Sequence, residues 1–526
     1  MKDFLKKNIY QILVGLLSFI VLFPLFKSGY FSHQDDLQVI RIVEMRKCFS
    51  DFQIPCRWVP DMGWGNGYPL FNYYGVFTYY LGGLISFIFN YLVTAKILFG
   101  IALVLGSFGM YYFVSSYFKN NLAGFVSAVL YMFAPYKALD IYVRGALGEA
   151  MALTIIPFVF WFLYKIFEEP KSKKYFLFFV ISLFFFLITH NIMTIVFLPF
   201  VLLFAVYLLF KNKFSNLKNL FFGFIISFLL SSFFLIPAFV EKDLVQTESL
   251  TRFELDFRAN FVGFKQIFLD RSWGYGTSIP GPLGKMNFSA GTIHWIMAVL
   301  GSIFSPILGV IFLMSVFMMH NTSSFVWEAV PLLSYFQFPW RFLSLSIFIS
   351  SILGGVFIYK LNKKYQLLGS VIIVIFTVIF NYSYFKPREY YLVTNEQKTS
   401  GELWEVQQKG ALLDYLPKTA LEPREKAVSN IEGLEIGSDY FKFNVNLDEK
   451  KEIEVPVFYF PNWAIYVNGV KIDIRHDNIL GRIEFDLEKG GHEVVGKFKN
   501  TPIRNIANTL TLIGLVCFVI YIWKKY

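Results

Sequence analysis

The sequence predicts a mainly α-helical, polytopic membrane bundle of about 12 spanning segments, with a small β-rich domain before the last helix. Three observations carry this expectation. The 526 residues are 56% hydrophobic and 20% aromatic, with 64 Phe, and only 16% are charged. Soluble domains carry about 25% charged residues. The apolar residues come in long runs without alternation, which suits helices, because a helix pairs its backbone amides within its own segment. Between residues 455 and 498 the pattern changes to short strand-like runs, VPVFYF, AIYV, KIDI, RIEFDL and HEVVGKF, broken by Asn468-Gly469 and Gly490-Gly491.

The first run, near 8–27, has about the 20 residues a crossing needs. Lys2, Lys6 and Lys7 place its start in the cytoplasm. No small-residue cleavage site follows this basic start, so the run reads as a retained helix rather than a signal peptide. Further lysines mark inner loops: Lys119; Lys165, Lys171, Lys173 and Lys174; Lys211, Lys213 and Lys218; Lys360, Lys363 and Lys364; Lys524 and Lys525. Spans between these markers fall near 97–117, 122–136, 150–167, 174–190, 192–210, 219–237, 340–359, 366–385 and 506–523. The stretch 291–319 fits as two short passes turning at Ser305-Pro306. Both termini are then cytoplasmic. The apolar stretch 77–93 breaks this parity and is either a juxtamembrane helix on the outer side or a further span. The expected divisions are a bundle with outer loops over 1–385, an extracytoplasmic β-sandwich-like domain over 386–505, and a C-terminal helix over 506–526.

The formal net charge is +11. It is spread over short loops between apolar spans, and no basic domain or aromatic-plus-basic stripe points to nucleic acid. Three Cys without a CxxC pair or a Cys/His cluster give no recognisable zinc site. Cys48 and Cys56 share the first outer loop, where a disulfide can form; the expectation is two unpaired thiols.

Polar groups gather at the outer ends of the spans. Asp35 and Asp36 follow the first span in SHQDDLQVIRI, with Arg41 and Glu44 behind them. PCRWVPDMGWGNGYPLFNYYGV supplies Arg57, Asp61 and Tyr68 within a dense set of Gly, Pro and aromatic residues. YKALDIYVRGALGEA carries Lys137, Asp140, Arg144 and Glu149; THN carries His190 and Asn191; QFPWRF carries Arg341. Each has a plainer reading: solvated loop acids, an aromatic belt, an exposed ion pair of little worth, a capping histidine, a snorkelling arginine. Their convergence on one side of one bundle favours a site, since ionisable groups near a membrane interior are costly. Arginines clamp a phosphate through paired hydrogen bonds, a carboxylate serves as general base to a hydroxyl, and aromatic rings offer a platform for a sugar.

The run His33-Gln34-Asp35-Asp36, Arg41-Ile42, Pro55-x-Arg57-Trp58-x-Pro60-Asp61, Gly65-x-Gly67-Tyr68-Pro69-Leu70-Phe71-Asn72 and Tyr79-Tyr80-Leu81, followed in order by YVRGALGE, HN and QFPWRF, resembles a bacterial family. Its members are labelled 6-pyruvoyl-tetrahydropterin synthase-related membrane proteins. YFPNWAIYVNG and GGHEVVGKF resemble the outer β domain of that group and of YfhO-type proteins. Nothing in the chain suggests pterin chemistry. The family looks like the C-type glycosyltransferase fold, whose members take sugar from polyprenyl-phosphate donors outside the membrane. The resemblance places the catalytic role on Asp35, with Asp36 next. Charge logic puts the donor phosphate on Arg144 and Arg341, with Arg57 behind them, and Glu149 orienting an arginine. Arg41, Tyr68, His190 and Asn191 complete the expected substrate contacts. Where the family pattern leads one to expect a His before the Arg, this chain has Gln38. Members of the fold divide between those that use a divalent cation and those that do not, so no cofactor is assigned and a divalent cation stays open.

The implied activity is glycosyl transfer from a polyprenyl-phosphate sugar to an envelope glycopolymer or lipid acceptor on the outer face, within the lipid bilayer and without nucleic acid. The alternatives are a transporter or flippase of lipid-linked sugars and a non-catalytic scaffold for envelope assembly.

Overall fold

The computed structural model describes residues 2–279, 284–410 and 415–523, with side chains from residue 8 onward. Lys524, Lys525 and the side chains of Lys2, Lys6 and Lys7 lie outside the described residues. Every one of the twelve expected segments is helical. Eight described helices are long and apolar enough to cross a membrane, or ten if two bent pairs each count as one span. The other two expected passes, Lys173–Leu187 and Thr292–Ser302, form helices of 15 and 11 residues. At 1.5 Å per residue they reach about 22 and 16 Å, short of the roughly 30 Å hydrocarbon core. The stretch 77–93 divides: Phe77–Ile85 is a helix of nine residues, too short to span, and Tyr91–Phe118 then starts a new helix capped by Asn90.

The bundle packs through small residues, as expected where lipid supplies no hydrophobic drive between helices. Gly106 and Gly109 of Tyr91–Phe118 lie so close to Leu147–Glu168 that a Cβ at Gly106 would stand 3.0 Å from Leu153 O, and one at Gly109 3.0 Å from Pro157 Cβ. Leu343–Lys360 is the most enclosed spanning helix, and Pro502–Trp523 the most lipid-exposed. The last helix docks on Leu217–Val240, where Thr511 Oγ1 accepts from Phe233 N–H at 2.9 Å and Gly514 permits close approach to Leu229.

Among the described residues, nine strands form three small sheets. β1 (Tyr30–Phe31) pairs antiparallel with β2 (Tyr390–Tyr391), tying the loop after the first helix to the insert before the last one. β3 (Glu435–Ile436), β4 (Tyr440–Leu447), β5 (Lys451–Phe458), β6 (Trp463–Val467), β7 (Val470–Ile472), β8 (Arg482–Leu487) and β9 (Gly490–Phe498) follow. They order as β3-β4-β9-β6-β7 and as β5-β8. Alternate side chains such as Phe441, Phe443, Val455, Ile465, Ile483 and Phe485 fill one buried core. Asn468 and Gly469, both at positive φ, make the two-residue β6–β7 turn. The strand β4 was not among the runs expected from the sequence. Trp58 and Tyr73, in the segment between Gln38–Ser50 and Phe77–Ile85, join this core, and Gln53 Nε2 donates to Ser438 O at 2.8 Å, so the β domain sits on that segment.

One expectation is corrected here: Cys48 and Cys56 are disulfide-bonded. The Gln38–Ser50 helix ends at Asp51, Phe52 turns the chain back at φ +59°, and the two Cα atoms come within 5.6 Å. The closed loop is short, so replacing both cysteines by serine should cost about 2–3 kcal/mol. Thermal unfolding of the purified protein, with thiol alkylation before and after reduction, measures this: Cys48 and Cys56 should react only after reduction, and the double variant should melt lower.

Candidate functional site

The site begins at a break in a helix. Asn121–Met132 and Pro135–Arg144 meet at a 41° bend, because Pro135 has no amide hydrogen for the preceding turn. Leu139–Arg144 then widens into a π-helical turn and closes at Gly145, at φ +68°. Such turns shift side chains out of regular register and recur at functional sites. A side chain at Gly145 would collide with the His33 ring. Its absence lets residues 32–35 lie across the turn: Gln34 N–H donates to Val143 O at 2.9 Å and Asp35 N–H to Arg144 O at 2.8 Å. Backbone bonds therefore hold Asp35 beside Arg144.

Asp35 Oδ2 accepts from Arg41 Nη1 at 2.8 Å and from Gln38 Nε2 at 3.1 Å. Gln38, fully buried, also donates to Gly145 O at 2.9 Å and accepts from Tyr79 Oη at 2.8 Å. The Arg41 guanidinium lies 4.5 Å over the Tyr74 ring. The Asp35 side chain is 31% exposed, and no described group hydrogen-bonds Oδ1, which leaves that oxygen as the open acceptor.

Glu149, in the first turn of Leu147–Glu168, centres a second network. A carboxylate there is favoured by the helix dipole. Its Oε1 accepts from Tyr136 Oη, and its Oε2 from Arg144 Nη1 at 3.0 Å and Arg341 Nε at 3.3 Å. Arg144 Nη1 also bonds Asp140 Oδ1. Aromatic faces cover both guanidiniums: Trp340 lies 4.6 Å from Arg144, and Phe338 4.9 Å from Arg341. Arg341 Nη1 donates to Phe336 O at 2.6 Å and Gln337 Oε1 at 3.2 Å. No described protein acceptor meets the Nη2 group of either arginine. His190 caps Asn191–Lys211, its Nδ1 accepting from Met193 N–H at 3.3 Å, which places the proton of a neutral ring on Nε2. Asn191 Nδ2 donates to Tyr73 O at 2.9 Å.

Asp35, Arg41, Arg144, Glu149, His190, Asn191 and Arg341 line one cavity of about 500 Å³. With Lys242 it holds four cations against two carboxylates. One side of the wall is apolar, with Ile192, Ile195, Phe239 and Leu332, while Gln34, Thr247 and Gln337 add uncharged polar groups. Phe239 is 72% exposed, so that wall runs out onto the apolar outer surface of the bundle.

Three expected residues lie elsewhere. Asp36 points away from Asp35, accepts from Lys398 Nζ at 2.5 Å, and stands 3.9 Å from His33 Nε2. Burial outweighs the pull of Asp36 and lowers the His33 pKa. Arg57 turns toward the last helix, donating to Asn72 Oδ1 at 2.9 Å, Phe233 O at 3.0 Å and Asn508 Oδ1 at 2.9 Å. Tyr68 is a buried core residue bridging to Val59. Gln38, Tyr136, Gln337, Trp340 and Lys398 carry the site's geometry without having been singled out for it. Tyr136, Gln337 and Trp340 stand inside the quoted motifs; Lys398 had no signal at all. Among the described residues no three His, Cys, Asp or Glu side chains form a group that could hold a metal ion. Glu149 has both oxygens bonded and Asp35 keeps only Oδ1 free, so these side chains offer the divalent cation left open above a single carboxylate oxygen among four cations, a poor fit.

The sequence model of the 6-pyruvoyl-tetrahydropterin synthase related domain, described as a membrane protein, matches residues 71–387. The chain belongs to this family, the one its motifs resemble. An uncharacterized protein of Lactococcus lactis subsp. cremoris (strain MG1363) is 24% identical over 249 residues, or 45% of this chain. That match spans 40% of the relative's length. Among solved structures, the arabinofuranosyltransferase AftD from Mycobacteria covers 74% of this chain and 28% of its own at 11% identity, with a TM-score of 0.42. ArnT from Cupriavidus metallidurans, bound to undecaprenyl phosphate, covers 70% of this chain and 63% of its own at 13% identity, with a TM-score of 0.40. At those scores the likeness speaks to neither activity nor substrate.

Replacing Glu149 by Gln removes the charge that two buried guanidiniums share. The expected loss is about 3–5 kcal/mol, the usual result of unpairing a buried charge. Adding Arg341→Gln should recover part of it, and melting curves for the two single variants and the double variant measure the non-additivity.

Proposed function

We propose that this protein is a membrane glycosyltransferase that moves a sugar from a polyprenyl-phosphate donor to a cell-envelope acceptor at the outer face. The observation that carries the reading is the shared cavity: Asp35, Arg144 and Arg341 line it together, and its apolar wall reaches the lipid-facing surface. A donor with a prenyl tail, a phosphate and a sugar needs those three surfaces side by side.

In this reading the prenyl chain lies along Phe239 and Leu332, and the phosphate meets the open Nη2 groups of Arg144 and Arg341. Glu149 fixes both arginines without neutralising them fully. The acceptor hydroxyl hydrogen-bonds Asp35 Oδ1. Its oxygen attacks the anomeric carbon, the bond from that carbon to the phosphate oxygen breaks, and the hydroxyl proton passes to Asp35. The polyprenyl phosphate leaves carrying the bond's electron pair, stabilised by the arginines. Arg41 holds the Asp35 carboxylate aimed at the cavity, so it both orients and accepts.

A scaffold has no use for this convergence. A transporter requires a polar path across the bundle, and the mid-helix hydroxyls of Thr154, Ser227 and Ser351 each bond a carbonyl of their own helix, Thr154 and Ser227 bonding a neighbouring helix as well. The β domain, in contact with the first outer loop, positions the acceptor polymer.

The test uses full-length protein in lipid nanodiscs with a panel of polyprenyl-phosphate sugars. One donor should raise the melting temperature of wild type and of Asp35→Asn, and should not stabilise Arg341→Ala. Turnover of that donor should fall about 10²-fold or more in Asp35→Asn. No stabilisation by any donor, or equal behaviour of all three proteins, would reject the reading.

A further inference from the structure

A second cleft lies at the opposite end of the bundle. Leu343–Lys360 starts beside Arg341 and ends at Lys360, 18 residues or about 27 Å away. There the turn after Tyr91–Phe118 faces the turn between Lys360 and Lys363. The cleft between them, about 510 Å³, is lined by Lys119, Asn120, Tyr359, Lys360, Lys363 and Gln366, and by no carboxylate.

Its frame is fixed. Gln366 Oε1 accepts from Asn120 Nδ2 at 3.1 Å, while Gln366 Nε2 donates to Tyr359 O at 3.2 Å and Leu361 O at 3.1 Å. Asn120 Oδ1 accepts from Ala123 N–H at 2.9 Å, and Asn362 Oδ1 from Lys364 N–H at 3.2 Å. One side chain thus clamps two inter-helix turns together. Three lysines stand on this frame, and among the described residues none of them has an ion-pair partner.

Helix-end electrostatics do not account for all three. Lys119 and Lys360 sit at helix C-termini, where a cation is favoured. Lys363 opens the first turn of Lys363–Asn381, where the helix dipole repels a cation. Lys119 is held at φ +51°, a position where glycine is the unstrained choice. From the cleft, Leu367, Val371, Ile375 and Ile379 run along that helix at four-residue spacing, all exposed. Tyr359 and Tyr365 stand exposed where this apolar stripe begins, as rings do at a membrane boundary. Unpaired cations over an outward apolar stripe match a molecule with an anionic head and acyl chains.

We propose that this cleft binds the phosphodiester headgroup of an anionic bilayer phospholipid, with its acyl chains along Leu367, Val371 and Ile375. The site is separate from the cavity and does not depend on the transferase reading.

Delipidated full-length protein in detergent would be titrated with dioleoylphosphatidylglycerol and, separately, with dioleoylphosphatidylcholine, reading bound lipid by native mass spectrometry. Wild type would be compared with the triple variant Lys119→Gln, Lys360→Gln, Lys363→Gln. A control triple, Lys171→Gln, Lys213→Gln, Lys218→Gln, removes the same charge from the same end of the bundle. The phosphatidylglycerol affinity should fall at least about tenfold in the site variant and stay unchanged in the control. The single Lys363→Gln should lose about fivefold and serves if the triple is not recovered. Equal loss in both triples, or no preference for phosphatidylglycerol over phosphatidylcholine in wild type, would overturn the proposal. So would displacement of the lipid by millimolar inorganic phosphate, which would mark a site for soluble anions.

Discussion

Glu149, buried between Arg144 and Arg341, is the constraint on which the rest of the site depends. One carboxylate shared by two guanidiniums keeps both charged where lipid and apolar protein would otherwise penalise them. It ties the π-helical turn and the adjoining start of Leu147–Glu168 to the distant QFPWRF turn that opens Leu343–Lys360. Tyr136, Trp340 and Phe338 complete the enclosure, leaving each guanidinium a free edge toward the cavity. Asp140 is a second carboxylate on Arg144, so the cluster sets two acids against two guanidiniums beside an open volume.

The position of Asp35 follows from the same turn. Gly145 admits the crossing chain, backbone bonds from Gln34 and Asp35 fasten it, and Gln38 spans Gly145, Asp35 and Tyr79. Gln38, which replaces the histidine expected there, has an amide that donates to Asp35 and Gly145 and accepts from Tyr79. Its carboxamide performs a positioning task that needs no proton transfer. Behind Asp35, the Lys398–Asp36 pair and the β1–β2 pairing bring the insert against the same loop, so the β domain and the cavity are mechanically joined.

Much of the fold was legible because lipid imposes simple rules: long unbroken apolar runs give helices, and strand alternation marks the insert before the last one. The short helices Lys173–Leu187 and Thr292–Ser302 were found as helices, but their ends depend on tertiary contacts that no run length records. β4 alternates strictly, with Phe441, Phe443, Val445 and Leu447 against Lys442, Asn444 and Asn446, so its strand signal was present in the sequence. The Cys48–Cys56 bond depended on how sharply Phe52 turns the chain. Within the site, the motifs YVRGALGE, HN and QFPWRF brought Arg144, Glu149, His190, Asn191 and Arg341 to one place. The choice between Asp35 and Asp36 was beyond sequence, since Asp36 begins the turn into Gln38–Ser50 and Lys398 claims it from far along the chain. Arg57 and Tyr68 looked exposed in a Gly- and Tyr-rich loop, yet the β domain covers that loop and draws them into the core.

The central claim is that the free edges of Arg144 and Arg341 form a phosphate site opening to lipid. The most direct measurement is an electron cryomicroscopy map of the full-length protein in nanodiscs with saturating polyprenyl phosphate. The account predicts phosphate density bridging Arg144 and Arg341, the prenyl chain against Phe239 and Leu332, and Asp35 Oδ1 facing the cavity unoccupied by the lipid. Phosphate density elsewhere, or a cavity holding no lipid at saturation, would contradict it.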